Sequence, residues 1–472
     1  MTEPAGIDPA VVRAVFKAYD VRGLVPEQVD EPLAGATGRA HAQVTGSAAV
    51  VVGHDMRPSS PALAAAFAAG ACEAGADVVM IGLASTDQLY FASGHLGIAG
   101  AMFTASHNPA AYNGIKLCRA DAVPLGMESG LADIRDLVIE PRRTAGTACG
   151  EVRELDLLDA YAEHLLSLVP LGSGRPLKVV VDAGNGMAGH TAPAVFGRLP
   201  AGRIELVPMY FELDGTFPHH EANPIEPANL RDLQARVVAE GADIGLAFDG
   251  DADRCFLVDE RGAAVSPSAL TGLIARRELA KEPGATVIHN LITSRAVPEL
   301  IRELGGVPVR TRVGHSFIKA TMKETDAIFG GEHSGHFYFR DFWRADSGML
   351  AALHVLAALS DSDRPLSELM ADYDPYPLSG EINSEVDDTT AVTEALAATY
   401  GAQAGVTLDR LDGLTVSHAD WTFNVRPSNT EPLLRLNAEG RDQAIMERVR
   451  DDVLALIRSD SGTAHRKEQE NP

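Results

Sequence analysis

The sequence predicts an α/β protein built from several domains. Its 472 residues correspond to about three or four domains of ordinary length. Short β-branched runs alternate with helical patterns in three separate parts of the chain, as they do in α/β units around a sheet. With 46% apolar and 22% charged residues, the composition is that of a globular protein able to bury a large core.

Three segments share one rhythm of strand, polar turn, helix and second strand, which indicates three related α/β domains. Their strands are expected at residues 49–53 and 75–80, at 178–181 and 203–207, and at 286–288 and 305–309, with helices at 61–74, after 186, and at 295–304. The last part of the chain differs and predicts a smaller α+β domain. It contains a Pro-rich passage at 373–377, a helix near 390–400, short strands around 413–425, a terminal helix near 443–457 and a frayed tail at 459–472.

The net charge of −25 argues against a nucleic-acid-binding protein, whose surface is basic, and against docking on an anionic membrane. An anionic substrate would need a locally basic site. We find no signal peptide at the N-terminus, and the most apolar stretch, residues 62–84, is interrupted by Glu73 and Asp77 and cannot span a bilayer. We therefore expect a cytoplasmic enzyme.

Four cysteines, Cys72, Cys118, Cys149 and Cys255, form no CxxC pair. A disulfide framework would be unusual in a chain of this size. We expect all four to be buried, reduced thiols.

The first motif that carries chemistry is TASHNP at residues 104–109, which follows an apolar run. A small turn flanked by Asn and Pro presents Ser106 outward, as a nucleophile or phosphate carrier requires. An ordinary turn capped by a serine hydroxyl is the alternative. A Ser-His-Asp hydrolase is disfavoured because the GxSxG elbow is absent, and because His107 would point away from Ser106 in an extended chain.

The second motif is DGDADR at residues 249–254, directly after an apolar strand at 244–248. Asp249, Asp251 and Asp253 form a cup of hard oxygen ligands that suits Mg²⁺ facing phosphate oxygens. An EF-hand is rejected because the sixth position of its loop requires glycine, where this chain has Arg254. A solvated acidic turn is a poor alternative because three carboxylates this close repel one another.

Two further loops indicate recognition of a sugar phosphate. In GGEHSGH at 330–336, Glu332, Ser334 and His336 alternate and can face one way toward vicinal hydroxyls; a metal site on its two histidines lacks the usual context. In RPSNTEP at 426–432, a guanidinium, two hydroxyls, an amide and turn N–H groups make a phosphate cradle or an ordinary polar turn. Further basic residues lie in polar turns, where each alone could be a surface ion pair: Arg22, Lys116, His315 and Lys319.

Taken together, these motifs resemble the α-D-phosphohexomutase superfamily, and most closely its phosphomannomutase/phosphoglucomutase branch. The resemblance covers nearly the whole chain and keeps the order AYDVRG, TASHNP, DGDADR, GEHSGH and RPSNTEP, with DGTFP at 214–218 and Asn223-Pro224 between. It implies a heart-shaped molecule of four domains around a central cleft. These would be α/β domain I with the phosphoserine loop (1–152), α/β domain II with the metal loop (153–260), α/β domain III with the sugar-binding loop (261–368) and α+β domain IV with the phosphate-binding loop (369–472).

The resemblance also implies an isomerase that interconverts hexose 6-phosphates and 1-phosphates of mannose, glucose or both. Ser106 would be the phosphoserine and, with Asp249, Asp251 and Asp253, would bind Mg²⁺, while hexose 1,6-bisphosphate would be intermediate and activator. Substrate-binding residues would be Tyr19, His315, Glu332, Ser334, Arg426, Ser428, Asn429 and Thr430; further catalytic residues would be Arg22, Lys116, Arg254 and His336. The partners would be small-molecule sugar phosphates, and the protein would be a monomer or homodimer.

Transfer from a serine phosphate to a sugar hydroxyl needs charge stabilisation, for which Mg²⁺, Arg254 and Lys116 are suited. It also needs a general base, for which Lys116 and His336 are both candidates. Two departures from relatives stand out: residues 291–294 carry no lysine, and His54 stands where relatives often have arginine.

Three alternatives are weighed against this function. A phosphoglucosamine mutase is disfavoured only by GEHSGH, which lacks a glutamine. A Mg²⁺-dependent sugar phosphatase would not need a phosphate clamp and a sugar loop that retain the intermediate. A sugar-phosphate-binding protein without activity would need neither Ser106 nor the three aspartates.

Overall fold

The computed structural model describes residues 7–142, 148–427 and 433–467. The chain divides into two compact units, which are described separately below. Unit 1 consists of Met1–Pro267, Met322–Gly330 and Ser334–Leu369, and unit 2 of Ser268–Thr321, Gly331–His333 and Met370–Pro472. Among the described residues, no helix combines the length and apolar character needed to cross a bilayer.

The first α/β domain is a six-stranded sheet covered by helices. Its elements are α1 (Pro9–Val15), β1 (Val21–Leu24), α2 (Glu31–Thr45), β2 (Ala49–His54), α3 (Ser60–Glu73), β3 (Asp77–Leu83), α4 (Thr86–Leu96), β4 (Ala99–Phe103), β5 (Tyr112–Cys118), α5 (Ala132–Ile139) and β6 (Val152–Glu154). The strand order is β1-β5-β4-β2-β3-β6. Strands β4, β2, β3 and β6 are parallel, and β5 is antiparallel to both of its neighbours, β4 and β1. The central strands β2 and β4 are buried almost throughout, because a parallel strand is covered on both faces.

The second α/β domain repeats this plan with five strands. Its elements are α6 (Leu158–Leu168), β7 (Leu177–Asp182), α7 (Ala188–Phe196), β8 (Ile204–Met209), α8 (Arg231–Glu240), β9 (Ile244–Phe248), β10 (Cys255–Asp259) and β11 (Ala264–Val265). The order is β11-β10-β9-β7-β8. Strand β9 is parallel to β7 and antiparallel to β10, so the residues that join β9 to β10 form a tight connection at one end of the sheet.

The third α/β domain has residues in both units. Its elements are α9 (Pro267–Lys281), β12 (Thr286–Asn290), α10 (Ala296–Glu303), β13 (Val307–Thr311), α11 (His315–Thr325), β14 (Phe329–Gly331), β15 (Phe337–Phe339), β16 (Ala345–Asp346), α12 (Gly348–Ser360) and α13 (Leu366–Ala371). In unit 2, β12 and β13 are parallel. In unit 1, β15 and β16 are antiparallel.

The C-terminal domain is an antiparallel sheet with two helices against it. Its elements are β17 (Leu378–Glu385), α14 (Thr389–Gly401), β18 (Thr407–Asp409), β19 (Leu414–Ser417), β20 (Trp421–Pro427), β21 (Leu433–Gly440) and α15 (Gln443–Lys467). The strand order is β17-β21-β20-β19-β18. A separate apolar core, which includes Phe423, Leu436 and Val453, fills this domain.

The strand–helix–strand pattern predicted in each of the three repeated segments is confirmed. Two smaller expectations are wrong. The last helix continues to Lys467 instead of fraying from residue 459, since no proline interrupts the segment and each added residue continues the hydrogen-bond ladder. Cys149 is exposed, whereas Cys72, Cys118 and Cys255 are buried thiols as expected.

Candidate active site

The TASHNP loop follows β4 and places a buried serine hydroxyl beside a carboxylate. Ser106 is 5% exposed, and its Oγ donates a hydrogen bond of 2.8 Å to Asp249 Oδ2. Its backbone has φ +48°, in the left-handed region that side chains other than glycine seldom adopt. The Ser106 N–H donates to Thr104 Oγ1 at 2.9 Å, which helps to hold this turn.

The expectation that His107 points away from Ser106 is wrong. Its Nδ1 lies 3.2 Å from Ser106 Oγ, because the left-handed φ of Ser106 replaces the extended chain on which that expectation depended. Burial, with Arg254 and Arg22 nearby, lowers the pKa of His107 to about 3. The imidazole is therefore neutral at physiological pH.

The DGDADR loop joins β9 to β10 and forms the acidic cup predicted from the sequence. One carboxylate oxygen from each of Asp249, Asp251 and Asp253 lies within 4.8 Å of the others, and all three residues are at most 1% exposed. Ala252 has φ +61°, which turns the chain between the second and third carboxylates. Alternate positions and this turn together aim the three side chains at one point.

Two cations share the carboxylates of the cup. Lys116 Nζ lies 2.7 Å from Asp251 Oδ2 and 2.6 Å from Asp253 Oδ2, and Arg254 Nε lies 2.8 Å from Asp249 Oδ2. Three buried carboxyl groups therefore face two positive charges. These are the neutralising groups that the sequence argument demanded.

The protonation of the cup follows from burial and from these cations. Burial raises the pKa of Asp249 to about 8, although Arg254 opposes the shift. Burial also tends to raise the pKa of Asp253, but the nearby basic groups Lys116, His336 and Arg254 together lower it to about 2. Burial tends to lower the pKa of Lys116, but Asp251 and Asp253 raise it well above its ordinary value, which favours the charged ammonium.

The cup fits a divalent cation. Within the part of the chain that the structure describes, Asp251 Oδ1 and Asp253 Oδ1 are buried and accept no hydrogen bond. Buried carboxylate oxygens without partners are costly, and hard oxygen ligands are those that Mg²⁺ prefers. A bound dication would satisfy both oxygens and would favour the ionised form of Asp249.

Sequence reasoning missed the support that α4 gives to this cup. Thr86, the first residue of α4, donates from Oγ1 to Asp251 Oδ2 at 2.6 Å and from its N–H to Asp251 O at 3.0 Å. Ser85 caps the helix by accepting from Gln88 N at 3.2 Å. The only signal in the sequence is the Ser-Thr-Asp start of a helix, which does not say that the start meets the metal loop.

Arg22, on β1, joins the AYDVRG motif to the nucleophile loop. Its Nη1 donates to Asn108 Oδ1 at 2.5 Å and to Ala105 O at 3.3 Å, and Nη2 is paired with Asp20 at 2.5 Å. Tyr19 is half-buried in the turn that precedes β1. The structure thus brings Arg22, one of the expected catalytic residues, to the Ser106 loop.

The end of the GEHSGH motif also lies in unit 1. His336 forms an isolated bridge with Arg254, and its Nε2 lies 3.7 Å from Asp253 Oδ1. Ser334 Oγ lies 3.0 Å from His336 Nδ1. Residues 333 and 334 form a turn, so the rule of alternation in an extended strand does not apply to this motif.

The remaining predicted residues lie in unit 2 or outside the described residues. Glu332 is 2% exposed and accepts from Gly314 N at 3.1 Å. Arg426, on β20, donates to Glu381 Oε2 at 3.0 Å. Ser428, Asn429 and Thr430 lie outside the described residues, and so does the side chain of His315, whose backbone begins α11.

A second cation near Arg426 was also missed. Arg435 stands opposite Arg426 in the β20–β21 pair, and both guanidinium groups reach the carboxylate of Glu381, Arg435 at 3.3 Å. The register of β20 against β21 makes Arg435 the neighbour of Arg426. The sequence alone does not specify which residues of two strands pair.

Phosphoryl transfer requires a nucleophile, a place for a divalent cation and fixed positive charge around one phosphorus atom. The Ser106 loop and the cup of carboxylates meet the first two requirements, and Lys116 and Arg254 meet the third. Fold and site together therefore define a multidomain α/β enzyme of phosphoryl transfer.

Comparison with known proteins identifies the family. Profiles described as phosphoglucomutase/phosphomannomutase alpha/beta/alpha domains I, II and III match residues 13–141, 159–262 and 266–376, and the profile of the C-terminal domain matches residues 381–456. The chain belongs to the phosphoglucomutase/phosphomannomutase family. It is accordingly a phosphohexomutase, an isomerase that moves a phosphoryl group within its substrate.

Relatives match along nearly the whole chain. A protein named phosphohexose mutases from Xanthomonas campestris pv. campestris is 44% identical over 447 residues, which are 94% of this chain and 99% of the relative. A phosphomannomutase from Salmonella montevideo is 42% identical over 453 residues, again 94% and 99% of the two chains. The crystal structure of a phosphoglucomutase/phosphomannomutase family protein from Burkholderia thailandensis is similar with a TM-score of 0.86 and 33% identity, over 95% of this chain and 98% of that one.

Proposed function

We propose that the protein interconverts hexose 6-phosphate and hexose 1-phosphate of mannose, glucose or both, through a phosphoserine at Ser106 and a hexose 1,6-bisphosphate intermediate. The observation that carries this proposal is the 2.8 Å hydrogen bond from Ser106 Oγ to Asp249 Oδ2. A serine hydroxyl beside a cup that fits Mg²⁺ supports a role for Ser106 as the carrier of the phosphoryl group. Relatives named phosphomannomutase at 42% and 40% identity favour these sugars.

Asp249, Asp251 and Asp253 would hold Mg²⁺, and an oxygen of the phosphorylated Ser106 would complete its ligands. When bound, the ion neutralises charge that develops on the transferring phosphoryl oxygens. Lys116 and Arg254 add fixed positive charge, and their carboxylate partners hold them in place. Positioned cations in a buried site need little reorganisation during transfer.

The attacking sugar hydroxyl must lose a proton to a general base. Lys116 Nζ lies 2.7 Å from Asp251 Oδ2 and 2.6 Å from Asp253 Oδ2, which raises its pKa well above the ordinary value and makes it a poor acceptor of that proton. His336 is the better candidate, since its Nε2 lies on the same side as the cup, 3.7 Å from Asp253 Oδ1. We propose His336 as the base and Lys116 as a group that stabilises charge.

After the first transfer, the bisphosphate must turn over so that its other phosphate meets Ser106. We propose that Arg426, with Ser428, Asn429 and Thr430, binds the phosphate that is not reacting. Glu332 and Ser334 would bind sugar hydroxyls, which both orientations present, and Tyr19, Arg22 and His315 would guide the anion. A clamp for either phosphate keeps the intermediate on the enzyme, whereas a phosphatase would release it to water.

Intact mass spectrometry tests the covalent step. Incubation with glucose 1,6-bisphosphate and Mg²⁺ should add one phosphate to the protein, and Ser106→Ala should abolish both this addition and turnover. Ser167→Ala, which removes an exposed hydroxyl on α6, is the matched control and should behave like the unmodified protein. A protein that never acquires phosphate, or a Ser106→Ala variant that still acquires it, would contradict the proposal.

A substrate panel separates the sugars. Coupled assays with mannose 1-phosphate, glucose 1-phosphate and glucosamine 1-phosphate should give the highest kcat/KM with mannose or glucose. A preference for glucosamine 1-phosphate would instead support the alternative of a phosphoglucosamine mutase. Release of inorganic phosphate at the rate of substrate loss would indicate the sugar phosphatase.

The remaining expectations stay predictions. We propose the domain boundaries 152/153, 260/261 and 368/369, a monomer or homodimer in solution, a cytoplasmic location, and no nucleic-acid or membrane partner.

A further inference from the structure

Arg57 is a fully buried arginine whose guanidinium is bonded to the backbone of the nucleophile loop. The residue is 1% exposed and lies in the turn between β2 and α3. All five of its side-chain N–H groups have acceptors. Nε donates to Asp55 Oδ2 at 3.2 Å, Nη1 to Pro109 O and Tyr112 O at 2.9 Å each, and Nη2 to Ser106 O at 2.9 Å and Asn108 O at 2.7 Å.

Four of these acceptors are carbonyl groups from the loop that carries Ser106. The planar fork of an arginine can satisfy carbonyls that converge in this way, because it offers five donors in a fixed geometry; of the four, Pro109 O also accepts from Tyr112 N at 3.0 Å. One of them is the carbonyl of Ser106 itself, whose φ of +48° is an unfavourable conformation that surrounding structure must maintain. The bonds of Arg57 therefore favour the backbone conformation that directs Ser106 Oγ toward Asp249.

Arg57 is itself held on the other side by Asp55. Asp55 Oδ1 accepts from Arg57 N at 3.0 Å and from Ser60 Oγ at 2.6 Å, and Asp55 N donates to Phe103 O on β4 at 2.9 Å. Because Asp55 is 1% exposed, the pair is a buried ion pair with its remaining hydrogen bonds satisfied, which fixes the guanidinium in one orientation.

The DGTFP motif at residues 214–218 packs against Arg57, with the ring of Phe217 over the guanidinium. The Phe217 ring centroid lies 5.1 Å from Arg57 Cζ, within range of a cation–π contact. A Cβ on Gly215 would lie 2.6 Å from Arg57 Cα, so only glycine lets the motif approach this closely. Arg57 thus connects the motif at residues 214–218 to the loop of Ser106.

We propose that Arg57 is a positioning residue for phosphoryl transfer: with Asp55 behind it and Phe217 over it, it holds the Ser106 backbone so that Oγ faces the metal cup. The inference rests on the proposed phosphoserine mechanism. Arg57 is too deeply buried to bind substrate, so its loss should slow the chemical step and leave substrate binding nearly intact.

Arg57→Lys tests the inference, because lysine keeps the charge but its single ammonium cannot reach carbonyls on both sides. We expect kcat and the rate of phosphorylation by glucose 1,6-bisphosphate to fall by at least about tenfold, with KM within about threefold, as for a misplaced nucleophile. Arg203→Lys is the matched control. Arg203 likewise donates to Gly174 O, to Gly172 O and to Ser360 Oγ, but lies outside the site, and its variant should keep kcat.

A folded Arg57→Lys variant with unchanged kcat and unchanged phosphorylation rate would overturn the inference, as would an equal loss in Arg203→Lys. If Arg57→Lys does not fold, Phe217→Ala is the variant that tests the role of Arg57. Removal of the half-buried ring should lower kcat about two- to tenfold at constant KM, and unchanged kcat would overturn the inference. A wild-type protein that takes up no phosphate would count against the proposed function itself and not against the role of Arg57 alone.

Discussion

At the scale of single residues, the site depends on a serine in an unfavourable backbone conformation at the edge of a buried acidic cup. Ser106 has a left-handed φ, and its hydroxyl reaches Asp249. Burial would favour neutral carboxyls, and Lys116 and Arg254 oppose it. A substitution in the Ser106 loop or in the cup would therefore change both the position of the serine hydroxyl and the charge of the carboxyl groups beside it.

Gly250 gives a prediction at this scale. A Cβ at this position would lie 2.4 Å from Ser106 O, too close for either backbone to remain in place. Gly250→Ala should therefore displace Ser106, the proposed nucleophile, and lower kcat by about 10- to 100-fold, measured in a coupled assay.

Gly172→Ala is the control for Gly250→Ala. Gly172 has ordinary φ, and its nearest neighbour would be 3.4 Å from the new Cβ, so kcat should not change. Equal activities of the two variants would show that the close approach of Gly250 to Ser106 is unimportant.

At the scale of elements, the start of α4 connects three helices through one carboxylate. Asp87 accepts from Tyr161 on α6 at 2.8 Å and from Ser347, which caps α12, at 2.6 Å. Burial raises the pKa of Asp87 to about 6. The neighbouring Thr86 bonds to the metal loop, so the packing of these helices positions the cup.

In unit 2, the start of α10 is joined to β21 by Glu439, which predicts a pH-dependent stability. The carboxylate accepts from Ser294 Oγ at 3.3 Å and from Arg295 N at 3.2 Å. Burial raises the pKa of Glu439 from 4.5 to about 7, against Arg295. Between those values the folded protein binds more protons than the unfolded chain, so this contribution is full below pH 4.5 and is lost as pH rises through 7.

Glu439→Gln should make this contribution independent of pH. The advantage of the wild-type protein over the variant should decrease from pH 5 to pH 8, by on the order of 2–3 kcal/mol, followed as the difference in melting temperature. Glu394 is an exposed residue on α14, so the difference in stability between wild type and Glu394→Gln should not decrease over this pH range. A difference that stays constant or grows with pH would contradict the raised pKa.

At the scale of the whole molecule, an acidic chain must bind an anion. The net charge is −25, yet Arg22, Lys116 and Arg254 lie near Ser106. Each is paired with a carboxylate, so these side chains by themselves contribute little net positive charge. A bound dication would supply the excess needed to attract a phosphate.

Mg²⁺ should therefore stabilise the folded protein. At about 100 times its dissociation constant, a ligand adds roughly 2.7 kcal/mol, and the melting temperature should rise by about 5 °C. Asp253→Asn should remove this rise, whereas Asp363→Asn, an exposed position, should retain it. EDTA should reverse the effect and stop turnover; an equal rise in both variants would contradict the assignment of the cup.

Much of the fold and the site could be predicted because the signals are local. The buried strands β2, β7 and β12 are recognisable in the sequence as apolar runs. The cup could be predicted from three aspartates at alternate positions directly after β9. Neighbours across the fold could not be predicted. Arg57, Thr86 and Arg435 meet their partners through helix packing and strand register, which one sequence does not specify.

The sequence by itself determined the α/β class, the order of the five motifs and the chemistry of the residues in them, because strand patterns and loop motifs consist of consecutive residues. Only the tertiary structure decided that Lys116 pairs with the carboxylates of the cup, that His107 contacts Ser106, and that Arg57 is hydrogen-bonded to the backbone of the Ser106 loop. Protonation and backbone conformation depend on burial and on partners distant in sequence, and these exist only once the chain has folded.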